Sequence, residues 1–310
     1  MFLTSRFRPE PVALTKSVRW LLCLSVGLTV LAHAVKTFRG DGTALNAFLF
    51  LDWGWPDERL AQTERVWLMA IAGLTGLGVA LAGIWRSVAW WMIPAGLYLL
   101  LEAVLSVHVG GQPFSHWSPA AAALRYGTPL FAPLVLAGCL QGAESSTRSE
   151  TLAGWRAGSF GTGALLLRFA VAVVFFTHGC EAWQHHPRFI DLVIGTGARQ
   201  FDVWLDETLV TRILTVIGVV DVVVAIAILL SWNPLFLGWA AFWGLVTASS
   251  RMTAFGWGAY PDVLLRATHF LVPLALLLLI RPPWMTSSGN SRDRRQSSRS
   301  HQDERSPVTV

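Results

Sequence analysis

Eight long apolar segments constrain this chain more than any other feature of its sequence. Each approaches the roughly 20 residues that an α-helix needs to cross the hydrocarbon core of a bilayer. The segments cover residues 20–35, 66–85, 88–107, 124–140, 164–183, 209–232, 234–250 and 263–280. They are continuously apolar rather than alternating, unlike membrane β-strands, and in lipid such segments satisfy their backbone hydrogen bonds as helices. The sequence therefore predicts an all-α, polytopic membrane protein with eight transmembrane helices.

The composition agrees with a surface that mostly avoids water. Only 14% of the residues are charged, against about 25% in a typical soluble domain. The formal charge is +5, but the basic residues lie beside the apolar segments, as membrane anchoring requires. No nucleic-acid motif accompanies them. The expected partner is thus the lipid bilayer, with no role for nucleic acid.

The distribution of Lys and Arg predicts the orientation and the domains. More of them lie on the side of the N-terminus than on the opposite side, which places both termini in the cytoplasm of a multi-pass inner (plasma) membrane protein. The predicted order is a cytoplasmic segment (1–19), a first membrane repeat (20–140), a cytoplasmic linker (141–163), a second membrane repeat (164–281) and a disordered cytoplasmic tail (282–310).

The two membrane regions resemble each other, which suggests an internal repeat. LTVLAHAVKTF in the first half matches VVFFTHGCEAW in the second, with His33 opposite His178. Arg125 falls opposite Arg266 in the closing helices, where Pro133 lies near the position of Pro273. Four helices per half is an even number, so the two four-helix halves are predicted to be parallel repeats.

Ionisable residues inside the apolar segments are the candidates for function, because each costs roughly 2.5–3.5 kcal/mol at membrane depth unless it is paired or hydrated. They form two predicted polar clusters that lie near the outer face, except for Asp221, which lies nearer mid-depth. The candidate pocket in the second half comprises His178, Glu181, Asp221, Arg251, Arg266 and His269. Its first-half counterpart comprises His33, Lys36, Glu102, His108 and Arg125. Structural pairing between helices and a functional polar pocket both remain open.

The sequence contains no motif for a stand-alone catalytic site. It lacks a hydrolase elbow, a phosphate-binding loop, a dinucleotide fingerprint and HExxH. The spacing of its His and acidic residues matches no known metal site, so no metal is expected. Cys23, Cys139 and Cys180 lie in apolar segments without a CxxC pair and are interpreted as packing residues. Whether the protein is an enzyme remains open.

The second half resembles the DoxX-like family of four-helix membrane proteins. The motifs are Arg168 followed by an apolar run and His178-Gly179, Asp221 where the family usually has Glu, and the short turn Ser231-Trp232-Asn233-Pro234 before the third helix. The family often has a Lys after the HG element, where this chain has Glu181-Ala182. The resemblance implies a four-helix bundle and an association with membrane redox chemistry, including quinone-linked processes.

Three functional hypotheses follow. In the first, a DoxX-like protein assists a redox or envelope process, binds quinone near its outer face, and associates with other membrane or redox subunits. His178 would then accept a proton or donate a hydrogen bond to a carbonyl, Arg251 and Arg266 would stabilise negative charge, and Asp221 would pair with a cation or carry a proton. The second hypothesis is a small-solute or proton-coupled transporter. The third is a non-catalytic membrane scaffold, in which the polar residues pair with one another.

Overall fold

A computed structural model of the chain describes residues 12–82, 86–111, 114–138 and 150–280, and its regular elements are all helical. The predicted all-α class is thus confirmed for this part of the chain. The α-helices are α1 (Val12–Phe38), α2 (Ala44–Trp53), α3 (Asp57–Ala82), α4 (Ile93–Val109), α5 (Ser118–Ala121), α6 (Ala123–Gly138), α7 (Glu150–Trp183), α8 (Pro187–Phe201), α9 (Glu207–Leu230), α10 (Pro234–Phe255), α11 (Tyr260–Leu265) and α12 (Ala267–Leu279). Short 3₁₀ helices cover Arg86–Met92, Ser115–Trp117 and Trp257–Ala259.

Five helical stretches are long and apolar enough to cross a membrane. They are Lys16–Phe38, Ala89–Val109, Ser115–Ala137, Gly161–Trp183 and Glu207–Leu230. A sixth would be the pair Trp257–Leu265 and Ala267–Leu279, which is bent by 46°. The predicted spans at 66–85 and 234–250 correspond to α3 and α10, which are helical but do not belong to this set.

The helices pack around α7, which lies between α6 and α9. In the same manner, α1 lies between α12 and α3. Helix α4 packs on α6, and α10 packs on α12. The shorter helices α2 and α8 lie against α4 and α10, respectively. The buried core is therefore formed by the long helices of both halves together.

From Val216 to Leu230, helix α9 is apolar on all sides except at Asp221, which lies on the inner face. Its buried positions recur every three or four residues, which is the period of one helix face. The opposite face exposes Val216, Val219, Val223, Ile226 and Leu230. A continuous exposed face of large aliphatic side chains is expected against lipid rather than water.

Helices α7 and α9 approach each other at two glycines. A Cβ atom built on Gly218 would lie 2.6 Å from the carbonyl oxygen of Gly179, and one on Gly179 would lie 2.8 Å from that of Gly218. Small residues permit this close backbone contact, which drives helix association where the hydrophobic effect is absent. The contact fixes the register of His178 on α7 and Asp221 on α9.

Arg168 completes the carboxyl end of α9 from within α7. Its Nη2 donates to the carbonyl oxygen of Leu229 at 2.7 Å, and its Nε donates to that of Ile228. Its guanidinium also lies 4.2 Å above the ring of Trp232. The last carbonyls of a helix lack partners within the helix, so Arg168 has a structural role here.

Several predictions concern residues outside the described ranges. These are most of the cytoplasmic N-terminal segment, Cys139, the start of the linker and the disordered tail at 282–310. The rest of the predicted linker differs from a loop, because α7 already begins at Glu150. Helix α7 has 34 residues, which correspond to about 50 Å of helix. This length exceeds the roughly 30 Å hydrocarbon core.

The glycine contact predicts that adding a single methyl group at Gly218 lowers the free energy of unfolding. Gly218→Ala forces α7 and α9 apart, and we expect a loss of about 1–3 kcal/mol from overpacking. Gly238→Ala is the matched control, since its Cβ would meet only Leu277 Cδ2 at 3.9 Å. Thermal unfolding of both variants in detergent checks the prediction, and equal melting temperatures would contradict it.

Candidate functional site

A cavity of about 360 Å³ opens among α7, α8, α9, α10 and the start of α12. Most of its wall is apolar and is formed by Val174, Phe175, Leu192, Leu214, Ile217 and Val246. Its polar lining includes five of the six candidates predicted in the second half: His178, Asp221, Arg251, Arg266 and His269. The sixth, Glu181, contacts the cavity through His178. An apolar cavity with a few convergent polar groups is typical of a small-molecule site.

The backbone of α12 reaches the cavity because α10 has a glycine opposite it. A Cβ atom on Gly244 would collide with the carbonyl group of His269. The chain also bends at Arg266, where the backbone leaves helical geometry (φ −99°, ψ 11°) between α11 and α12. Close approach and bend together direct Arg266 and His269 toward the same space as Arg251.

His178 links Glu181 to His269. Its Nδ1 lies 2.7 Å from Oε2 of Glu181, one helical turn away. Its ring stacks on that of His269 with a centroid separation of 5.7 Å. His269 is only 4% exposed, and its Nε2 has no hydrogen-bond partner in the described part of the chain. The cavity therefore contains an oriented His-carboxylate pair and an unused ring nitrogen.

Arg251 and Arg266 line the cavity without a close carboxylate. Arg251 donates to the carbonyl oxygen of Thr247 and to Oγ of Ser250, the latter at 3.2 Å. Arg266 donates to the carbonyl oxygen of Asp262 at 3.3 Å. Within the described ranges, no ion pair with N···O below 4 Å involves either guanidinium.

Asp221 lies on the inner face of α9 and is 5% exposed. The side chain of Trp243 is its neighbour on α10. Asp221 Oδ1 and Trp243 Nε1 make no hydrogen bond of good geometry within the described ranges, although the indole lies close enough to stabilise the carboxylate. A buried polar atom without a partner is costly, so this end of the cavity has unused hydrogen-bonding capacity.

The first-half candidates have other positions, and none of the five lines this cavity. Glu102 accepts the backbone N–H groups of Ala44 and Leu45 at 3.0 and 3.1 Å, and so caps α2. His108 lies 3.5 Å from Asp52, and the ring of His33 meets that of Tyr98 edge-on. These three residues have structural contacts.

Lys36 and Arg125 instead extend the charged cluster of the second half. Lys36 Nζ pairs with Oδ1 of Asp262 at 2.8 Å, which joins α1 to α11. Arg125 interacts electrostatically with Arg266, Asp262 and Glu181. The two predicted clusters thus meet at one place in the molecule.

Helix α8 is the part of the site that the sequence did not predict, since it lies between the predicted spans at 164–183 and 209–232. Phe189, Leu192, Val193, Gly197 and Phe201 of α8 line the cavity. Their spacing of three or four residues is the signal for an amphipathic helix. A hydrogen bond between the hydroxyls of Thr196 and Thr253 holds α8 against α10, together with one from Gln200 Nε2 to the carbonyl oxygen of Thr253.

The exposed end of α8 continues into a surface rich in aromatic side chains. Trp204 is 80% exposed just beyond α8, and Trp257 is 82% exposed just beyond α10. Tryptophan is enriched where a membrane protein crosses the membrane–water boundary. Both exposed tryptophans are therefore of the kind expected near a membrane–water boundary.

His186 anchors the start of α8. Its Nδ1 accepts the backbone N–H of Arg188 at 3.1 Å, and its ring stacks between Phe114 and Phe189. Burial lowers the pKa of His186, an effect that the nearby Glu181 carboxylate opposes. The neutral ring needed for this cap is therefore the form that the fold favours.

Comparison with known proteins leaves the site to be interpreted from its own residues. No protein family, curated protein or solved structure matches this chain. The DoxX-like resemblance of the second half consequently remains a prediction carried by its motifs.

The cap at His186 predicts that acid loosens α8. Because its pKa is lower in the folded protein, the contribution of His186 is complete above the ordinary histidine pKa of about 6.5 and falls as the pH drops below it. We expect hydrogen exchange across 187–201, corrected for intrinsic rates, to accelerate at acidic pH.

The variant His186→Asn is the matched control for that experiment. Asparagine is a good N-cap acceptor and does not titrate, so the acid-induced acceleration should disappear while α8 stays protected at neutral pH. Equal acid sensitivity of wild type and variant would contradict a role for His186, and would point to the nearby Glu181 and His178 instead.

Proposed function

We propose that this chain is a plasma-membrane protein of eight transmembrane helices arranged as two parallel four-helix repeats, with both termini in the cytoplasm. The order of the elements supports the repeat. Helices α1 to α6 and α7 to α12 follow the same sequence of long, short and bent elements. Their contacts correspond as well, because α6 packs on α7 as α12 packs on α1, and α2 on α4 as α8 on α10.

The bent closing helices refine the register of the proposed repeat. Backbone dihedral angles are similar at Ala122 (φ −93°, ψ 2°) and Arg266 (φ −99°, ψ 11°). A proline follows each bend by seven positions, at Pro129 and Pro273. This register pairs Arg125 with His269, and it replaces the pairing of Arg125 with Arg266 that sequence similarity suggested.

Cysteine labelling in oriented membrane vesicles tests this topology. In a chain without its native cysteines, Asp202→Cys should react with an impermeant maleimide from the outer side, and Ser146→Cys only from the cytoplasmic side. The excess of Lys and Arg on the proposed inner side is the physical reason. Labelling of Ser146→Cys from the outer side, or of Asp202→Cys only from the cytoplasmic side, would overturn the proposed topology.

For the second repeat we propose a DoxX-like role as an accessory of a membrane redox process, through binding of a quinone. The carrying observation is the apolar cavity whose polar lining gathers His178, His269, Arg251 and Arg266. A quinone has a flat apolar ring and carbonyl oxygens that accept hydrogen bonds, and these side chains are donors. Other membrane or redox subunits are the proposed partners.

The same observations bear on the two alternatives. A scaffold in which the polar residues only pair with one another is less well supported, because a cavity separates several of them. The buried Asp221, with an oxygen that lacks a partner, favours a proton-coupled transporter as the second candidate. Proton-driven flux in proteoliposomes that Asp221→Asn abolishes would support it.

Quinone binding is tested by equilibrium dialysis of the purified protein with a short-chain quinone. We expect His178→Ala to weaken binding about tenfold, since the loss of one hydrogen bond to a ligand costs roughly 1–3 kcal/mol. His108→Ala is the matched control, because His108 pairs with Asp52 and does not line the cavity. Failure of wild type to bind, or unchanged binding by His178→Ala, would overturn the proposal.

A further inference from the structure

The charge around the cavity is not balanced by the protein's own close ion pairs. Three guanidinium groups, those of Arg125, Arg251 and Arg266, interact with one another repulsively. The carboxylates that attract them are Glu181 and Asp262.

Both carboxylates already have closer partners. Glu181 is bonded to His178 at 2.7 Å, and Asp262 is bonded to Lys36 at 2.8 Å. The arginines of the cavity are therefore left with longer-range attraction only.

A buried guanidinium without a close counter-charge is unfavourable, because desolvation of a charge costs several kcal/mol unless a partner compensates it. Arg251 is 8% exposed, and its hydrogen bonds go to a backbone carbonyl and a hydroxyl. His269 adds a ring nitrogen without a partner in the described part of the chain. These donors converge on the cavity and leave room for an acceptor that carries charge.

The rest of the cavity lining indicates the chemistry of the ligand body that carries this acceptor. Phe175, Leu214, Ile217 and Val246 form an apolar wall. Asp221 lies beside Trp243, which precedes Arg251 by eight positions on α10, or about 12 Å of helix. A negative group is thus attracted to the arginine end, so the apolar body extends toward the Asp221 end.

We propose that this site binds its ligand as an anion: an ionised oxygen, phenolate or carboxylate, held by Arg251 and Arg266, on a compact apolar body. This inference rests on the proposed quinone site and narrows it to acidic, hydroxylated quinones over neutral ones. A volume of about 360 Å³ is at the lower end for small-molecule sites. It accommodates a bicyclic ring or one short chain, and it is too small for a two-chain phospholipid.

Two pairs of probes test the charge requirement on the intact wild-type protein. Lawsone is a naphthoquinone whose ring hydroxyl is ionised at neutral pH, and unsubstituted naphthoquinone is its neutral counterpart. Dodecanoate and dodecanol form the second pair, which has the same contrast without a quinone ring. We expect equilibrium dialysis at neutral pH to give at least about tenfold tighter binding of lawsone than of naphthoquinone, as charge-assisted hydrogen bonds are the stronger class.

The four outcomes separate this inference from the proposed function. Tighter binding of lawsone supports both. Equal binding of the two naphthoquinones overturns the anion requirement and leaves the quinone site intact. Binding of dodecanoate over dodecanol, with neither naphthoquinone bound, supports the anion site and overturns the quinone proposal. No binding of any probe overturns both.

Arginine variants test which side chains bind the negative group of the ligand. Arg251→Gln and Arg266→Gln should each reduce lawsone affinity about tenfold more than they reduce naphthoquinone affinity, because glutamine keeps a donor and loses the charge. Arg212→Gln removes an exposed guanidinium of α9 that does not line the cavity, and it is the matched control. Equal loss for both naphthoquinones in the cavity variants would indicate a structural role and would overturn the assignment.

Discussion

The close contact between Gly179 and Gly218 is the constraint on which the candidate site depends. In a bilayer, apolar side chains gain little by leaving lipid for another helix, so packing of small residues has to hold helices together. Here the contact brings α7 and α9 to backbone distance one residue after His178 and three residues before Asp221. A larger residue at either glycine would separate the two sides of the cavity, and the polar groups would lose their common space.

The cations and anions of the site also differ in how well close partners compensate their charge in a region of low dielectric. Glu181 and Asp262 each have a partner closer than 3 Å, in His178 and Lys36. The guanidinium of Arg251 has only neutral acceptors, and that of Arg266 has a backbone carbonyl. Because burial penalises charge of either sign, this asymmetry between satisfied anions and under-compensated cations gives the cavity its preference for a negative group.

Sequence patterns could predict the helical class, most of the long helices and the residue types of the site, because each depends on local composition. They identified His178, Asp221, Arg251, Arg266 and His269, which now line one cavity. They could not predict that Lys36 and Arg125 join the second-half cluster, since that depends on packing between distant helices. Helix α8 was missed for another reason: its apolar residues are too few for a membrane span, and only their three- and four-residue spacing indicates a helix.

Under the proposed repeat, one position explains why the polar residues of the two halves have different partners. Helices α4 and α10 both end at a glycine with positive φ, Gly110 and Gly256. Eight residues before these glycines, α4 has Glu102 and α10 has Ala248. The Glu102 carboxylate binds the first N–H groups of α2, whereas α8 is capped by its own His186. An acid at the position of Ala248 would add a negative charge close to Arg251, so its absence leaves the arginines of the second half available to a ligand.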